Sequence, residues 1–143
     1  MAVYLTTQKW TQVEIGFVLS IGSIIGLLGQ MPGGAIVDAA RSERLVAGLA
    51  VATIGCAALA YALWPIFPVV TAAAALHALA SCVLGPTIAA ISLGLVGRLA
   101  IGERLGRNAR FASLGNGSAA ALMGATGYFL SSQSVFFVTA LLA

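Results

Sequence analysis

The stretch LVAGLAVATIGCAALAYALWPIFPVVTAAAALHALASCVLGPTIAAISLGLVG, residues 45–97, contains no Asp, Glu, Lys or Arg, and its single ionisable imidazole is His77. It is far longer than the roughly 20 residues that a helix needs to cross a hydrocarbon core. Trp64-Pro65-Ile66-Phe67-Pro68 falls near its middle, where two prolines interrupt helical hydrogen bonding beside a residue that favours membrane interfaces. The stretch therefore reads as two membrane helices, about 43–63 and 68–97, joined at one face of a bilayer.

The flanking sequence repeats this pattern. Charged side chains make up only 8% of the chain and hydrophobic ones 60%, whereas a soluble domain is about one quarter charged. The charges also fall in clusters: Lys9 and Glu14; Asp38, Arg41, Glu43 and Arg44; Arg98, Glu103, Arg104, Arg107 and Arg110. Between the clusters, residues 15–37 and 111–143 form two further uncharged runs, the second interrupted by Ser131-Ser132-Gln133-Ser134. The expected fold is all-α, a polytopic transmembrane helix bundle in a single domain, 1–143. Its spans are about 14–37, 43–63, 68–97 and 111–130, with a shorter apolar segment at 135–143. Helices are required, because backbone groups in hydrocarbon must pair within their own segment and the runs lack the alternation of barrel strands.

Orientation follows from the basic residues, which are in excess in cytoplasmic loops. The loops 38–44 and 98–110 hold six arginines, while the Pro-rich and Ser-rich turns on the other side hold none. Both arginine loops are therefore expected at the cytoplasmic side of a multi-pass protein of the cell membrane. Tyr4 to Trp10 then reads as an external loop that follows an earlier helix, so the chain is expected to be incomplete at both ends. Cys56 and Cys82 lie inside apolar runs, where a thiol behaves as a small hydrophobe. Gly22, Gly26, Gly29 and Gly33, with the alanines of 72–80, have the spacing of close helix contacts. A hinge role is the alternative for these glycines, for Pro32 and for Gly85-Pro86.

The segment Gly33-Gly34-Ala35-Ile36-Val37-Asp38-Ala39-Ala40-Arg41-Ser42-Glu43-Arg44 resembles the signature loop between the second and third helices of the major facilitator superfamily. Gly34, Asp38 and Arg44 match it, whereas Ala39 and Arg41 replace its usual basic residue and second glycine. Gly102-Glu103-Arg104-Leu105-Gly106-Arg107-Asn108-Ala109 is similar to the Glu-Arg-x-Gly-Arg stretch after that family's fourth helix. The resemblance covers essentially the whole chain and makes it helices two to six of the family's N-terminal half. It implies a secondary active transporter that moves a small solute across the membrane by alternating access between two six-helix halves around a midplane site. The rest of the transporter, the lipid bilayer and an unidentified small substrate are then the implied partners.

Candidate gate residues are Gly34, Asp38, Arg41, Arg44, Arg98, Glu103, Arg104 and Arg107, since a carboxylate near arginines and a helix end can lock one state and release the other. The plainer alternative for the arginines is that they only fix topology. His77 falls near the membrane midplane, where an ionisable group is costly and commonly faces a cavity or relays protons. This makes the proton the coupling ion to consider. Its position is similar to that of the Arg in the family's fourth-helix Arg-x-x-Gln-Gly motif, but the chain reads His77-Ala78-Leu79-Ala80-Ser81. A neutral His bonded to a neighbouring helix is the alternative. Gln30 and Asn116 are further cavity candidates, with interhelical amide bonds as the other use.

Other function classes find little support. No Gly-x-x-x-x-Gly-Lys-Ser/Thr loop is present, which excludes direct ATP coupling within the chain. The lone His, with no buried acid, supplies no catalytic constellation, so no enzyme activity is expected. No metal or organic cofactor is expected either, and the formal charge of +3 is explained by topology rather than by nucleic acid. The competing reading is a small multispan scaffold or assembly subunit without transport activity.

Overall fold

A computed structural model describes all residues from Met1 to Ala143. The chain is helical throughout: α1 (Ala2–Thr7), α2 (Gln12–Leu28), α3 (Gln30–Ala39), α4 (Glu43–Leu63), α5 (Phe67–Phe129) and α6 (Ser134–Leu142). Local chemistry sets the boundaries. At the start of α2 the Thr11 hydroxyl accepts from the Glu14 amide at 3.3 Å, and the Glu14 carboxylate accepts from the Thr11 amide at 2.8 Å. This reciprocal pair satisfies two amides that the first helical turn leaves open. The Ser42 hydroxyl accepts from the Leu45 amide at 3.4 Å to open α4, and Glu43 favours the positive end of the same helix. Trp64 and Pro65 end α4, and Pro68 lies in the first turn of α5, where a missing N–H costs nothing.

If straight, the 63 residues of α5 would extend about 95 Å, three times the hydrocarbon thickness. The helix is instead broken at Gly97, where φ is 71° and ψ is 178°, a backbone region essentially confined to glycine. His77 and Met123 line one cavity, although they would be roughly 70 Å apart in an unbroken helix. The arms 67–96 and 98–129 therefore fold back on each other. Near the turn the Asn108 amide donates to the hydroxyl of buried Ser92 at 2.9 Å.

Three features differ from the sequence reading. Residues 98–110, read as a loop, are helical, because their Arg, Leu, Glu and Ala are good helix formers and Gly97 alone makes the turn. Residues 14–37, read as one helix, break at Gly29 with a bend of 49°. The Pro32 ring clashes with the carbonyl four residues back, that of Leu28, and α2 ends there. The bend rests on α5: a Cβ at Gly29 would lie 2.9 Å from Cys82 Sγ, and one at Gly33 3.0 Å from the Cys82 carbonyl oxygen. The Cys82 thiol is hydrogen-bonded to the carbonyls of Ala78 at 3.1 Å and Gly26 at 3.3 Å. Finally, residues 4–10, read as an external loop, begin within α1, whose Tyr4 and Leu5 are buried in the core.

The bundle has two distinct ends. At one, the Trp10 indole donates to the Pro65 carbonyl at 3.2 Å, and the Gln133 amide donates to the Ala62 carbonyl at 2.7 Å. At the other lie the α3–α4 connection, the Gly97 turn and all six arginines. The core is thin and rich in alanine: Ala57, Ala62, Ala73 and Ala74 pack with Tyr4, Tyr61 and Phe136 near the tryptophan end, and Ala50 and Ala80 with Val37 and Val83 toward the other. Such small contacts let helix backbones approach closely where lipid provides no hydrophobic drive for association. Only 23 of 143 residues are buried, and Leu27, Met31, Leu99, Phe111 and Tyr128 are largely exposed. A surface of this kind suits hydrocarbon and not water. The helices Glu43–Leu63 and Phe67–Phe129, together with the bent pair α2–α3, are long and apolar enough to cross a membrane.

Two substitutions test these constraints. Gly97→Ala should lower thermal stability in detergent by about 1–3 kcal/mol, the cost of a strained backbone. Gly94→Ala, which has open space, should be neutral or slightly stabilising; unfolding followed by circular dichroism compares the two. Gly33→Ala should lift α3 from α5 and speed maleimide labelling of Cys82 in a chain whose Cys56 is replaced by Ala. Gly34→Ala meets nothing within 4 Å and should leave that rate unchanged.

Candidate functional site

His77 lies ten residues into α5, roughly 15 Å along the helix and so about half the hydrocarbon thickness from the tryptophan end. Alanines around it in the sequence leave room for the imidazole to face two adjoining hollows. The larger, about 620 Å³, lies between α1, α4, α6 and both arms of α5, and its wall includes Tyr4, Tyr61, Met123, Phe136 and Thr139. The smaller, about 260 Å³, opens toward Val18, Gly22 and Ser23 of α2. His77 and Tyr61 border both, so they stand at the partition.

Aromatic packing fixes one wall of the larger hollow. The Phe136 ring lies 5.0 Å from Tyr4, edge to face, and 5.5 Å from Tyr61. Tyr4 is 97% buried, yet its hydroxyl has no hydrogen-bond partner, a deficit worth about 1–3 kcal/mol. The Thr139 hydroxyl bonds back to the Val135 carbonyl at 2.8 Å. The result is a mostly apolar chamber with a few polar tips, of a size that holds a small organic molecule. It can bury an apolar body beside the His77 imidazole and the Tyr61 phenol, while the Tyr4 hydroxyl is enclosed by the protein.

The other sequence candidates do not converge on this chamber. The Gln30 amide donates to the Gly26 carbonyl at 3.2 Å and lies 3.9 Å from Cys82 Sγ, at the α2–α3 bend. Asn116 is exposed on the second arm of α5. Among the gate candidates, Arg41 and Arg44 border a cleft of about 350 Å³ with Ile91, Gly94 and Leu95, which places the α3–α4 connection beside the end of the first arm of α5. Gly34 is half-buried on α3. Asp38 is exposed and has no ion-pair partner, as are Arg98, Glu103 and Arg107, while Arg104 is half-buried. Tyr4 and Tyr61, absent from the sequence candidates, are polar-tipped aromatics in alanine-rich or short helices. That combination is their only signal in the sequence.

These features define a polytopic helical membrane protein with a chamber at mid-depth and a basic end. Two Mycobacterium tuberculosis proteins, each named an uncharacterized MFS-type transporter, are 36% identical to the chain over 141 residues, covering 98% of it. The chain thus belongs to the major facilitator superfamily and spans about a third, 34%, of the length of these relatives. No protein-family profile matches it, and no solved structure matches it significantly.

Position 77 should be wet and position 116 should face lipid. In a background without Cys56 and Cys82, His77→Cys should react with a membrane-impermeant, charged thiol reagent, whereas Asn116→Cys should be protected. Equal protection at both positions would mean that the chamber is closed to water.

Proposed function

We propose that the chain forms part of a secondary active transporter that carries a small solute across the cell membrane by alternating access, with its arginine end in the cytoplasm. The observation that carries this reading is the relatedness, along nearly the whole chain, to proteins named MFS-type transporters. The chamber at His77 supports it, because an ionisable group at mid-depth is expensive unless it faces water or a ligand. In this reading the chamber is one wall of the solute path, and His77 is the coupling group, changing charge as it exchanges a proton with the path. The arginine end would hold the cytoplasmic gate. Asp38 would form ion pairs with Arg41, Arg44 and Arg98 in the state that closes it.

A chimera tests the proposal. The chain replaces its matching 141 residues in one of the M. tuberculosis relatives, and solute-induced proton movement is followed in inverted vesicles across a solute panel. The chimera should respond to the same solutes as the parent. His77→Ala should reduce the flux by about tenfold or more with insertion unchanged, in line with an intramembrane coupling group. A chimera that inserts but moves no solute that the parent moves would refute the transport reading. Normal flux in the His77→Ala form would remove only the coupling role.

A further inference from the structure

We propose that the helical segment 98–110 is a docking surface for anionic phospholipid headgroups, with Arg104, Arg107 and Arg110 as the phosphate-binding stripe. Depth is the first argument. The second arm of α5, residues 98–129, is 32 residues long by its ends and so about 48 Å, against about 30 Å of hydrocarbon. Its far end is held at the tryptophan end, because the turn that follows it carries Gln133, bonded to Ala62 at the end of α4. The surplus of about 18 Å, or about 12 residues, therefore emerges at the other end. That length is the arginine-bearing segment, which passes through the headgroup layer as a continuous helix.

Charge and geometry supply the second argument. At 100° per residue, Arg104, Arg107 and Arg110 occupy one 120° stripe, successive members three residues and roughly 4.5 Å apart along the axis. The Asn108 bond to Ser92 turns one face of this helix toward the bundle; relative to Asn108, the stripe starts about 40° away and runs outward to about 160°. Arg107 and Arg110 are exposed, and no arginine of the stripe pairs with Glu103. Arg104 is half-buried, with its Nε enclosed by the protein. The exposed guanidinium groups of Arg107 and Arg110, at the depth where phosphodiester oxygens lie, are matched by those oxygens, which accept bidentate, charge-assisted hydrogen bonds. This surface is independent of the transport reading and would exist in a scaffold as well.

The test is lipid retention. The full chain is extracted in mild detergent, purified in mixed phosphatidylglycerol and phosphatidylcholine, and its retained lipid is measured by mass spectrometry. Retained phosphatidylglycerol should exceed its share of the mixture by at least about fivefold, given the attraction of each basic residue to an anionic surface. The enrichment should fall steeply in about 1 M salt, where the Debye length shrinks to about 3 Å. The triple variant R104Q/R107Q/R110Q should lose it, and Lys9→Gln, at the opposite end, should keep it. Should the triple variant fail to insert, R104K/R107K/R110K retains the topology charges and should show a reduced enrichment, since lysine binds phosphate without the bidentate fork. Retention in proportion to the mixture, or enrichment that the three substitutions and salt leave unchanged, would overturn the proposal.

Discussion

Hydrocarbon offers a peptide group nothing to bond to, so each segment of this chain that crosses it must satisfy its own backbone, and turns are confined to the edges. That constraint accounts for most of what is seen. Helices fill the chain, and their ends are finished by side chains: Thr11 and Glu14 at α2, Ser42 at α4, Gln133 at the end of α4. Buried hydroxyls such as Thr87 and Thr126 bond back to carbonyls four residues earlier in their own helix. With the backbone satisfied internally, cohesion falls to close packing, and the buried positions of α4 are accordingly mostly alanines, joined by Ala73, Ala74 and Ala80 of α5. Packing that thin ties the helices together at few points.

The sequence was most legible where solvent preference changes abruptly. The charged clusters and the Trp64-Pro65 turn mark the ends of α4, whose bounds Glu43–Leu63 follow them closely. Polarity misleads at 98–110, because a charged stretch between apolar runs looks like a loop, although its residue types favour helix as strongly as they favour water. The turn depends on one glycine with positive φ, and nothing distinguishes Gly97 from Gly94 or Gly102 in a single sequence. The α2–α3 bend was partly legible in Pro32, but its seat on Cys82 is a tertiary contact that no local pattern encodes. Likewise, His77 announced itself as a lone ionisable group, whereas Tyr4 comes to the chamber only because α1 packs into the core.

The chamber shows how the same economy produces a site. Packing with small residues leaves gaps wherever larger side chains meet alanine, and the gap at Phe136, Tyr4 and Tyr61 is large enough for an organic molecule. Its polar tips are few, so each one counts. The Tyr4 hydroxyl is costly to bury unpaired, and the imidazole of His77 is costly to place at mid-depth. The second cost falls when water reaches the chamber, whereas the enclosed Tyr4 hydroxyl gains nothing from it.

The two ends of the bundle differ in a way that bears on motion. At the tryptophan end, the long-range bonds from Trp10 to Pro65 and from Gln133 to Ala62 join segments far apart in sequence. Toward the arginine end the Asn108 to Ser92 bond joins residues only 16 apart, across the Gly97 turn within α5. Asp38 and its neighbouring arginines form no pairs, and the cleft beside Arg41 and Arg44 is open. In the proposed transport cycle this asymmetry corresponds to a molecule fastened outside and unfastened at the cytoplasmic end. Charged groups solvated by water and headgroups lose little by separating and gain modestly by pairing, so a gate built from them can change partners at low cost. In that proposed cycle the fixed end would serve as the fulcrum.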